Sequence, residues 1–169
     1  MDDLNGKDND GRLQLIAFRI AQQDYCFDIR RVREIRGWTP ATPLPCAPAV
    51  LLGVINLRGT VVPVIDLSAR MGFGATQPCS RHAILVVEVG QQSVGLLVEA
   101  VSEILTVEKN VVQSTPSVGS SYADRLVAGV ISNDTGIVTV LALDEVADFE
   151  RIGDLMTNAP RVVAEAIAA

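Results

Sequence analysis

Residues capable of catalysis or metal binding are sparse in this chain and lack the spacing that either chemistry needs. The single histidine, His82, follows Arg81, and no second histidine supports a metal site. Ser68 and Ser102 lack the G-x-S-x-G context of a serine nucleophile, and no glycine-rich phosphate-binding motif follows a strand. We therefore predict no catalytic residue, no cofactor site and no metal site, and hence no enzyme.

The thiols and carboxylates favour the same conclusion. Cys26, Cys46 and Cys79 are odd in number and widely spaced, which is typical of reduced thiols in a cytosolic protein. Cys26 falls on a predicted strand, where we expect it to serve packing rather than reactivity. Glu99 and Glu103 have the spacing of a shared helical face, or they form an ordinary solvated acidic edge.

The side chain that stands out is Arg58, within the sequence N-L-R-G. The flanking apolar runs, residues 54–55 and 61–65, are short and rich in β-branched residues, so they predict two strands joined by a tight turn. Asparagine and glycine tolerate the positive φ of such turns, which places Arg58 at the tip. A guanidinium there can meet a carboxylate of another molecule. The alternative is a solvated arginine in an ordinary hairpin.

Composition favours a β-rich protein of one domain or of two very small ones. Of 169 residues, 49% are apolar but only 4% are aromatic, so aliphatic side chains must build the core. A net charge of -6 argues against a nucleic-acid surface, which needs clustered Lys and Arg. No apolar run approaches the roughly 20 residues that span a bilayer. The acidic start is unlike a signal peptide, so we predict a cytoplasmic protein without direct membrane insertion.

Periodicity, caps and prolines predict the elements that position the turn. Alternating apolar residues over 16–20 and 25–29 indicate a hairpin of half-buried strands. Helical turns are expected over 30–35, over 48–52 and, with Asp66 as N-cap, over 67–71. Because Pro63 lacks a ladder donor, we expect its strand to be an edge or to bulge there. Trp38, in a proline-rich connector, is either a core plug or an exposed anchor.

This plan is repeated in the second half. Residues 16–35 and 85–104 keep their apolar positions without a gap, and residues 50–55 match residues 126–131. An aspartate follows in each half, Asp66 in the first and Asp144 in the second. The second turn, N-D-T-G, has no arginine, and this asymmetry singles out Arg58.

The repeat predicts the domain organisation. We expect two similar halves, about 13–73 and 82–149, within one domain over 12–150. Each half has about five short strands, which suits a small barrel closed on itself. Such thin units should pack together and leave a seam where a partner binds. Residues 1–11 are predicted to be a disordered tail, and residues 151–169 a C-terminal helix or tail.

Two stretches of the chain resemble the CheW family of bacterial chemotaxis coupling proteins. They are V-R-E-I-R-G at Val32–Gly37 and G-V-I-N-L-R-G-T-V-V-P-V-I-D-L at residues 53–67. The N-L-R-G turn and the proline-containing strand ending in Asp-Leu are specific in that order, and the similarity covers about residues 13–150. The resemblance implies a mainly β fold of two tandem five-stranded SH3-like β-barrels packed around a shared hydrophobic core, with short helices and a C-terminal helix.

The resemblance also implies a non-enzymatic adaptor between receptors and a kinase. It would join the cytoplasmic tips of methyl-accepting chemotaxis proteins to the regulatory domain of the histidine kinase CheA, at membrane-bound receptor arrays. The receptor-facing residues carried over from the family are Val32, Glu34, Gly53 and Arg58. Contacts with the kinase would join barrel to barrel. The alternatives are an adaptor of a related array, serving twitching motility or another output, and a small-ligand-binding barrel that uses the seam.

Overall fold

Ten β-strands dominate the computed structural model, which describes residues 11–115 and 125–148. The strands are β1 (Arg12–Ile20), β2 (Gln23–Asp28), β3 (Val32–Gly37), β4 (Leu51–Leu57), β5 (Thr60–Asp66), β6 (Ala83–Val89), β7 (Gln92–Val98), β8 (Ala100–Glu108), β9 (Val127–Asn133) and β10 (Gly136–Leu141). Short helices α1 (Leu67–Arg70) and α2 (Leu143–Val146) and 3-10 turns at Ile29–Arg31 and Lys109–Val111 connect them. The predicted tail before Gly11 and the predicted C-terminal helix lie outside the described residues.

The strands form two five-stranded sheets, and each sheet takes strands from both halves of the sequence. Sheet A has the order β8-β1-β2-β10-β9, and sheet B has the order β3-β6-β7-β5-β4. Adding five to each strand number of sheet B, and returning to β1 after β10, reproduces the order of sheet A. The mainly β, SH3-like fold and the repeat are therefore confirmed.

The expectation that each half closes on itself is wrong, because the hairpins β1–β2 and β6–β7 are exchanged. β1 pairs with β8 from Arg12 opposite Glu108 to Arg19 opposite Ala100, which ties the start of the first half to the second. Repeated apolar patterns specify that strands form but leave their partners open. The barrels are therefore not tandem in the chain.

The side chains of β1 explain why its hairpin belongs between the two sheets. Leu13, Leu15 and Ala17 pack within sheet A, whereas Ile16 and Phe18 belong to a central cluster built from both sheets. The strand is thus buried on both faces, and the expectation of a half-buried strand is wrong. Burying one such side chain fully contributes roughly 1.5–3 kcal/mol. This central cluster, with members such as Leu85 and Leu96 of sheet B, fills the seam in which a partner groove was expected.

Several local predictions need correction. The segment over 48–52 is a turn that leads into β4, not a helix, and the helical turn expected over 30–35 is confined to Ile29–Arg31. The helical face proposed for Glu99 and Glu103 is wrong, because β8 begins at Ala100 and places Glu103 on a strand.

The prediction for Pro63 is also wrong, since β5 lies inside sheet B between β7 and β4. The parallel ladder to β7 begins at Val64, directly after the proline, so no N–H is required of Pro63. The irregularity in the β4–β5 pairing lies between Leu51 and Gly53 instead.

The predicted cap of α1 is confirmed. Asp66, 1% exposed, accepts a hydrogen bond from the N–H of Ala69 at 3.4 Å and two more from Thr76, at 2.6 and 2.7 Å. In the second half Asp144 follows β10, as expected, but it lies within α2. The residue that precedes α2 is Ala142, which cannot cap with its side chain.

Candidate partner-binding site

The β4–β5 turn holds Arg58 in a backbone conformation that arginine rarely adopts. Leu57 pairs with Thr60, so the loop consists of Arg58 and Gly59, whose φ angles are +50° and +88°. Positive φ at both positions is typical of a type I′ turn, whose twist matches antiparallel strands. The left-handed conformation costs a residue other than glycine roughly 1–2 kcal/mol. The predicted tight turn with Arg58 at its tip is therefore confirmed, and Arg58 itself adopts the positive φ.

Asn56 stabilises this turn with its side chain and does not itself adopt a positive φ. Its Oδ1 atom accepts a hydrogen bond from the N–H of Gly59 at 2.8 Å. This bond spans Leu57 and Arg58, so it closes the turn around the strained residue. A hydrogen bond of this kind contributes about 1 kcal/mol, comparable with the cost of the left-handed conformation.

The Arg58 side chain meets Glu34 of β3 in an ion pair that also includes Arg36. Arg58 Nη2 lies 2.8 Å from Glu34 Oε2, and Arg36 Nη1 lies 3.0 Å from Glu34 Oε1. Each carboxylate oxygen thus serves one arginine, and the three charges sum to +1. The Arg58 side chain is 78% exposed, whereas that of Glu34 is 23% exposed. The site therefore presents a cation to solvent above a partly covered anion.

Electrostatics keep Glu34 ionised. The hydrogen bond from Arg58, supported by one from Arg36, lowers the pKa of Glu34 below its ordinary value, although partial desolvation acts in the opposite direction. Sequence reasoning missed Arg36. The available signal was its position two residues after Glu34 on an alternating strand, which puts both side chains on one face.

The remaining two predicted residues have structural reasons of their own. Val32 is half-buried, lies opposite Val87 and packs against the central cluster. Gly53 is buried with φ +145°, and a Cβ atom there would lie within 2.2 Å of the carbonyl oxygen of Thr42. The four residues thus separate into the Glu34–Arg58 pair and two positions that support the fold. Partner contacts of Val32 and Gly53 stay predictions.

The backbone contact at Gly53 attaches the connector to sheet B. Thr42 and Val54 exchange backbone hydrogen bonds of 2.8 and 2.9 Å, which require these two segments of the backbone to lie in contact. Trp38, in the same connector, is half-buried and packs against the apolar cluster of sheet B, which favours the core plug over the exposed anchor.

Other candidate chemistry is accounted for by structure. Burial raises the pKa of Cys26 to about 12, which agrees with a packing role. His82 Nδ1 accepts a hydrogen bond from the N–H of Cys79 at 3.1 Å within a loop turn. Over residues 11–115 and 125–148, no group of three or more His, Cys, Asp or Glu side chains is placed to hold a metal ion. In the same residues, no helix has the length and apolarity needed to cross a membrane.

A shallow polar hollow lies where the 3-10 turn after β2 meets α2. It is lined by Arg30, Arg31, Glu88, Gly90 and Asp144. Arg31 forms an ion pair of 2.5 Å with Asp144 and donates to the carbonyl oxygen of Glu88 at 3.1 Å. Arg30 pairs with Asp28 and the Glu88 carboxylate pairs with Arg33, both outside the lining. The lining charges therefore all have partners, and the hollow acts as a junction between elements.

Comparison with known proteins gives concordant results. The family model of the CheW-like domain matches residues 14–151. "Chemotaxis protein CheW" of Rhizobium meliloti (strain 1021) is 51% identical over 138 residues, which cover 82% of this chain and 88% of that protein. "Probable chemotaxis protein CheW" of Rhizobium etli is 48% identical over 136 residues, which cover 80% and 88%. The crystal structure of scaffolding protein TtCheW from Thermoanaerobacter tengcongensis is similar with a TM-score of 0.73 and 30% identity, covering 79% of this chain and 86% of that one.

Proposed function

The chain belongs to the CheW-like domain family and is a non-enzymatic chemotaxis adaptor, and from this premise we propose that it binds receptors through Arg58 and Glu34. Its receptor partners would be the cytoplasmic tips of methyl-accepting chemotaxis proteins. The second partner would be the regulatory domain of the histidine kinase CheA, held by contacts between barrels. The adaptor would be recruited from the cytoplasm to membrane-bound receptor arrays.

The observation that carries the proposal is the exposed cation in a strained turn. Arg58 keeps φ +50° where glycine or asparagine would be less strained, and its side chain is 78% exposed. Strain of this kind persists where the surrounding structure holds it and is concentrated at functional sites. An exposed guanidinium with donors facing solvent suits recognition of a carboxylate on another protein.

An apolar side chain near the turn adds to this docking surface. Val61, just after the turn on β5, is 67% exposed. The exposed Ile35 is next to Glu34 on β3 and therefore points to the opposite face of the strand, away from the ion pair. A receptor tip is a helical hairpin, so its apolar face can cover Val61 while Arg58 and Glu34 set the register by charge. Each such contact is weak, and clustering in an array supplies avidity.

The test compares two charge reversals on folded full-length protein. Arg58→Glu should weaken binding to a purified receptor-tip fragment about tenfold or more, because it places like charges together and removes the exposed cation. Arg33→Glu is the matched control: its side chain is 58% exposed and it lies on β3 next to Glu34, but it pairs with Glu88. This control should bind within about twofold of the parent protein.

Binding to the kinase regulatory domain is measured in parallel on the same variants. A loss confined to the receptor fragment assigns Arg58 to the receptor side. Undiminished receptor binding by a folded Arg58→Glu protein would count against the proposed site.

A further inference from the structure

We propose that Asn56 and Arg36 are positioning residues that hold Arg58 ready for a carboxylate on the receptor tip. Neither residue is among the four carried over from the family. The inference rests on the proposed function, because it gives Arg58 a partner of stated chemistry, and it concerns how the adaptor prepares that contact before the partner arrives.

Asn56 acts on the backbone of Arg58. Its bond to the N–H of Gly59, 2.8 Å long, closes the turn across a residue whose preferred φ is negative. Without this bond, conformers with Arg58 at negative φ gain population and turn the guanidinium away from Glu34. The apparent affinity then falls with the fraction of molecules that remain competent to bind.

Arg36 acts on the side chain of Arg58 through their shared carboxylate. An isolated Arg–Glu pair tends to form two parallel hydrogen bonds, which use one whole edge of the guanidinium. Here Arg36 Nη1 donates to Glu34 Oε1 at 3.0 Å, which leaves only Oε2 to accept from Arg58. Arg58 donates to it through Nη2 at 2.8 Å. In the described part of the chain, Glu34 is the one hydrogen-bond partner seen for the Arg58 side chain. Its other donors remain available to solvent or to a partner.

The kind of partner follows from this geometry. Two guanidinium groups and one carboxylate leave a net charge of +1, concentrated on the exposed Arg58. A single Asp or Glu side chain, displayed on the outer face of a receptor helix, neutralises that charge and can accept from the donors that Glu34 leaves vacant. A basic or purely apolar helix face would leave Arg58 without this compensation.

A double-mutant cycle tests whether Asn56 works through Arg58. Asn56→Ala should weaken binding of full-length protein to the receptor-tip fragment about fivefold, equivalent to the loss of one neutral hydrogen bond. In an Arg58→Ala background the same substitution should have an effect below about 1.5-fold, because the residue that it positions is gone. Asn56→Asp, which keeps an acceptor for the Gly59 N–H, should bind within about twofold of the parent.

The equivalent turn of the other sheet offers a matched control for this cycle. Asn133 Oδ1 accepts from the N–H of Thr135 at 3.0 Å, so Asn133→Ala also removes a side-chain hydrogen bond from a hairpin turn. It should leave receptor binding within about 1.5-fold in both backgrounds. A general effect of hairpin destabilisation would instead appear equally for Asn56→Ala and Asn133→Ala.

Arg36 is tested by the same logic with a titration added. Arg36→Gln should weaken binding about threefold, and this loss should vanish in the Arg58→Ala background. Because Arg36 donates to Glu34, the substitution should also raise the Glu34 pKa measured by carboxyl NMR, whereas Arg33→Gln should move neither quantity.

The outcomes separate the two levels of the argument. Unchanged binding by folded Arg58→Ala would overturn the proposed site itself. If Arg58→Ala weakens binding but Asn56→Ala and Arg36→Gln add their full effects to it, the proposed site stands and the positioning role is wrong. Wild-type affinity in folded Asn56→Ala would likewise overturn the role of Asn56.

Discussion

The two hairpin turns at equivalent places in the sheets, β4–β5 and β9–β10, share a frame and carry opposite charges. In the first, Leu57 pairs with Thr60 around Arg58. In the second, Asn133 pairs with Gly136, and Asp134 occupies the place of Arg58. Both turns belong to five-stranded sheets of the same strand order, one with a cation and one with an anion at the tip. The architecture of the sheets therefore does not fix the charge of the tip residue.

The difference extends to the strand beside each turn. The repeat aligns Glu34 and Arg36 of β3 with Glu103 and Leu105 of β8. In the first half, Glu34, Arg36 and Arg58 carry a net charge of +1. In the second half, the aligned residues Glu103, Leu105 and Asp134 carry a net charge of -2. The exposed apolar residues are nevertheless retained in pairs: Ile35 and Val61 in sheet B, Ile104 and Ile137 in sheet A. The second half therefore keeps exposed apolar residues at the aligned positions and carries a net charge of the opposite sign.

Separating the two halves should have the largest effect. Fragments 1–77 and 78–169, produced alone, should lack cooperative thermal unfolding. In each fragment the three remaining strands of its main sheet lack the hairpin that the other fragment carries. Mixed during refolding, they should recover the circular dichroism spectrum of the intact chain. Two fragments that fold independently with cooperative transitions would contradict the hairpin exchange.

The paired glycines of β4 and β9 come next. Gly53→Ala should lower the free energy of unfolding by about 3 kcal/mol, since its Cβ meets the Thr42 backbone and φ is +145°. Gly129→Ala should lower it by about 2 kcal/mol. A Cβ there would lie 2.7 Å from Cγ1 of Val112 and 2.8 Å from the carbonyl oxygen of Gln113, but these contacts are less severe than the one at Gly53 and φ is not positive. Urea unfolding of both variants measures the difference. A larger loss of stability in Gly129→Ala than in Gly53→Ala would contradict this prediction.

Replacing the residue at each turn tip with glycine should separate stability from binding. Arg58→Gly should raise the free energy of unfolding by up to about 1 kcal/mol, because glycine adopts φ +50° without steric cost, while receptor binding falls with the loss of the guanidinium. Asp134→Gly has no positive φ to relieve and should be neutral or slightly destabilising. Thermal unfolding combined with receptor binding provides the measurement. A clear loss of stability in Arg58→Gly would argue against a strained tip.

The smallest effect concerns pH. Because the pKa of Glu34 is lowered in the folded protein, its stabilising contribution is present above the unfolded pKa and is lost as pH falls through the folded value. Carboxyl NMR should therefore show Glu34 titrating below an ordinary glutamate. Arg58→Ala should move this titration upward, since Arg58 provides the largest lowering effect. An unchanged titration in that variant would mean that the ion pair does not persist in solution.

Much of the local structure was predictable because it depends on neighbouring residues. The β4–β5 hairpin, the Asp66 cap of α1 and the repeated glycine at positions 53 and 129 all follow from short-range chemistry. The prediction for Pro63 failed because a proline shows only that one backbone N–H is absent, not whether a neighbouring strand needs that N–H. Whether its strand lies at an edge depends on where the ladder to β7 begins, which is a tertiary fact.

The candidate site was half predictable for the same reason. Arg58 was identified from its turn and from the asymmetry of the repeat, and Glu34 from a family resemblance. The positive φ of Arg58 was missed because the turn residues expected to adopt it were asparagine and glycine. Arg36 was missed because its link to Arg58 depends on the contact between β3 and the turn. That contact joins residues 24 positions apart through one carboxylate.

The sequence by itself determined which segments become strands, where the chain turns and which residue stands at the exposed tip. Alternation, β-branching, glycine and asparagine act over a few residues, and no distant partner is needed to interpret them. Only the tertiary structure decided that hairpins β1–β2 and β6–β7 exchange sheets and that Glu34 divides its two oxygens between Arg36 and Arg58. Both are choices among several partners of similar local chemistry, and such choices are settled when the whole core packs at once.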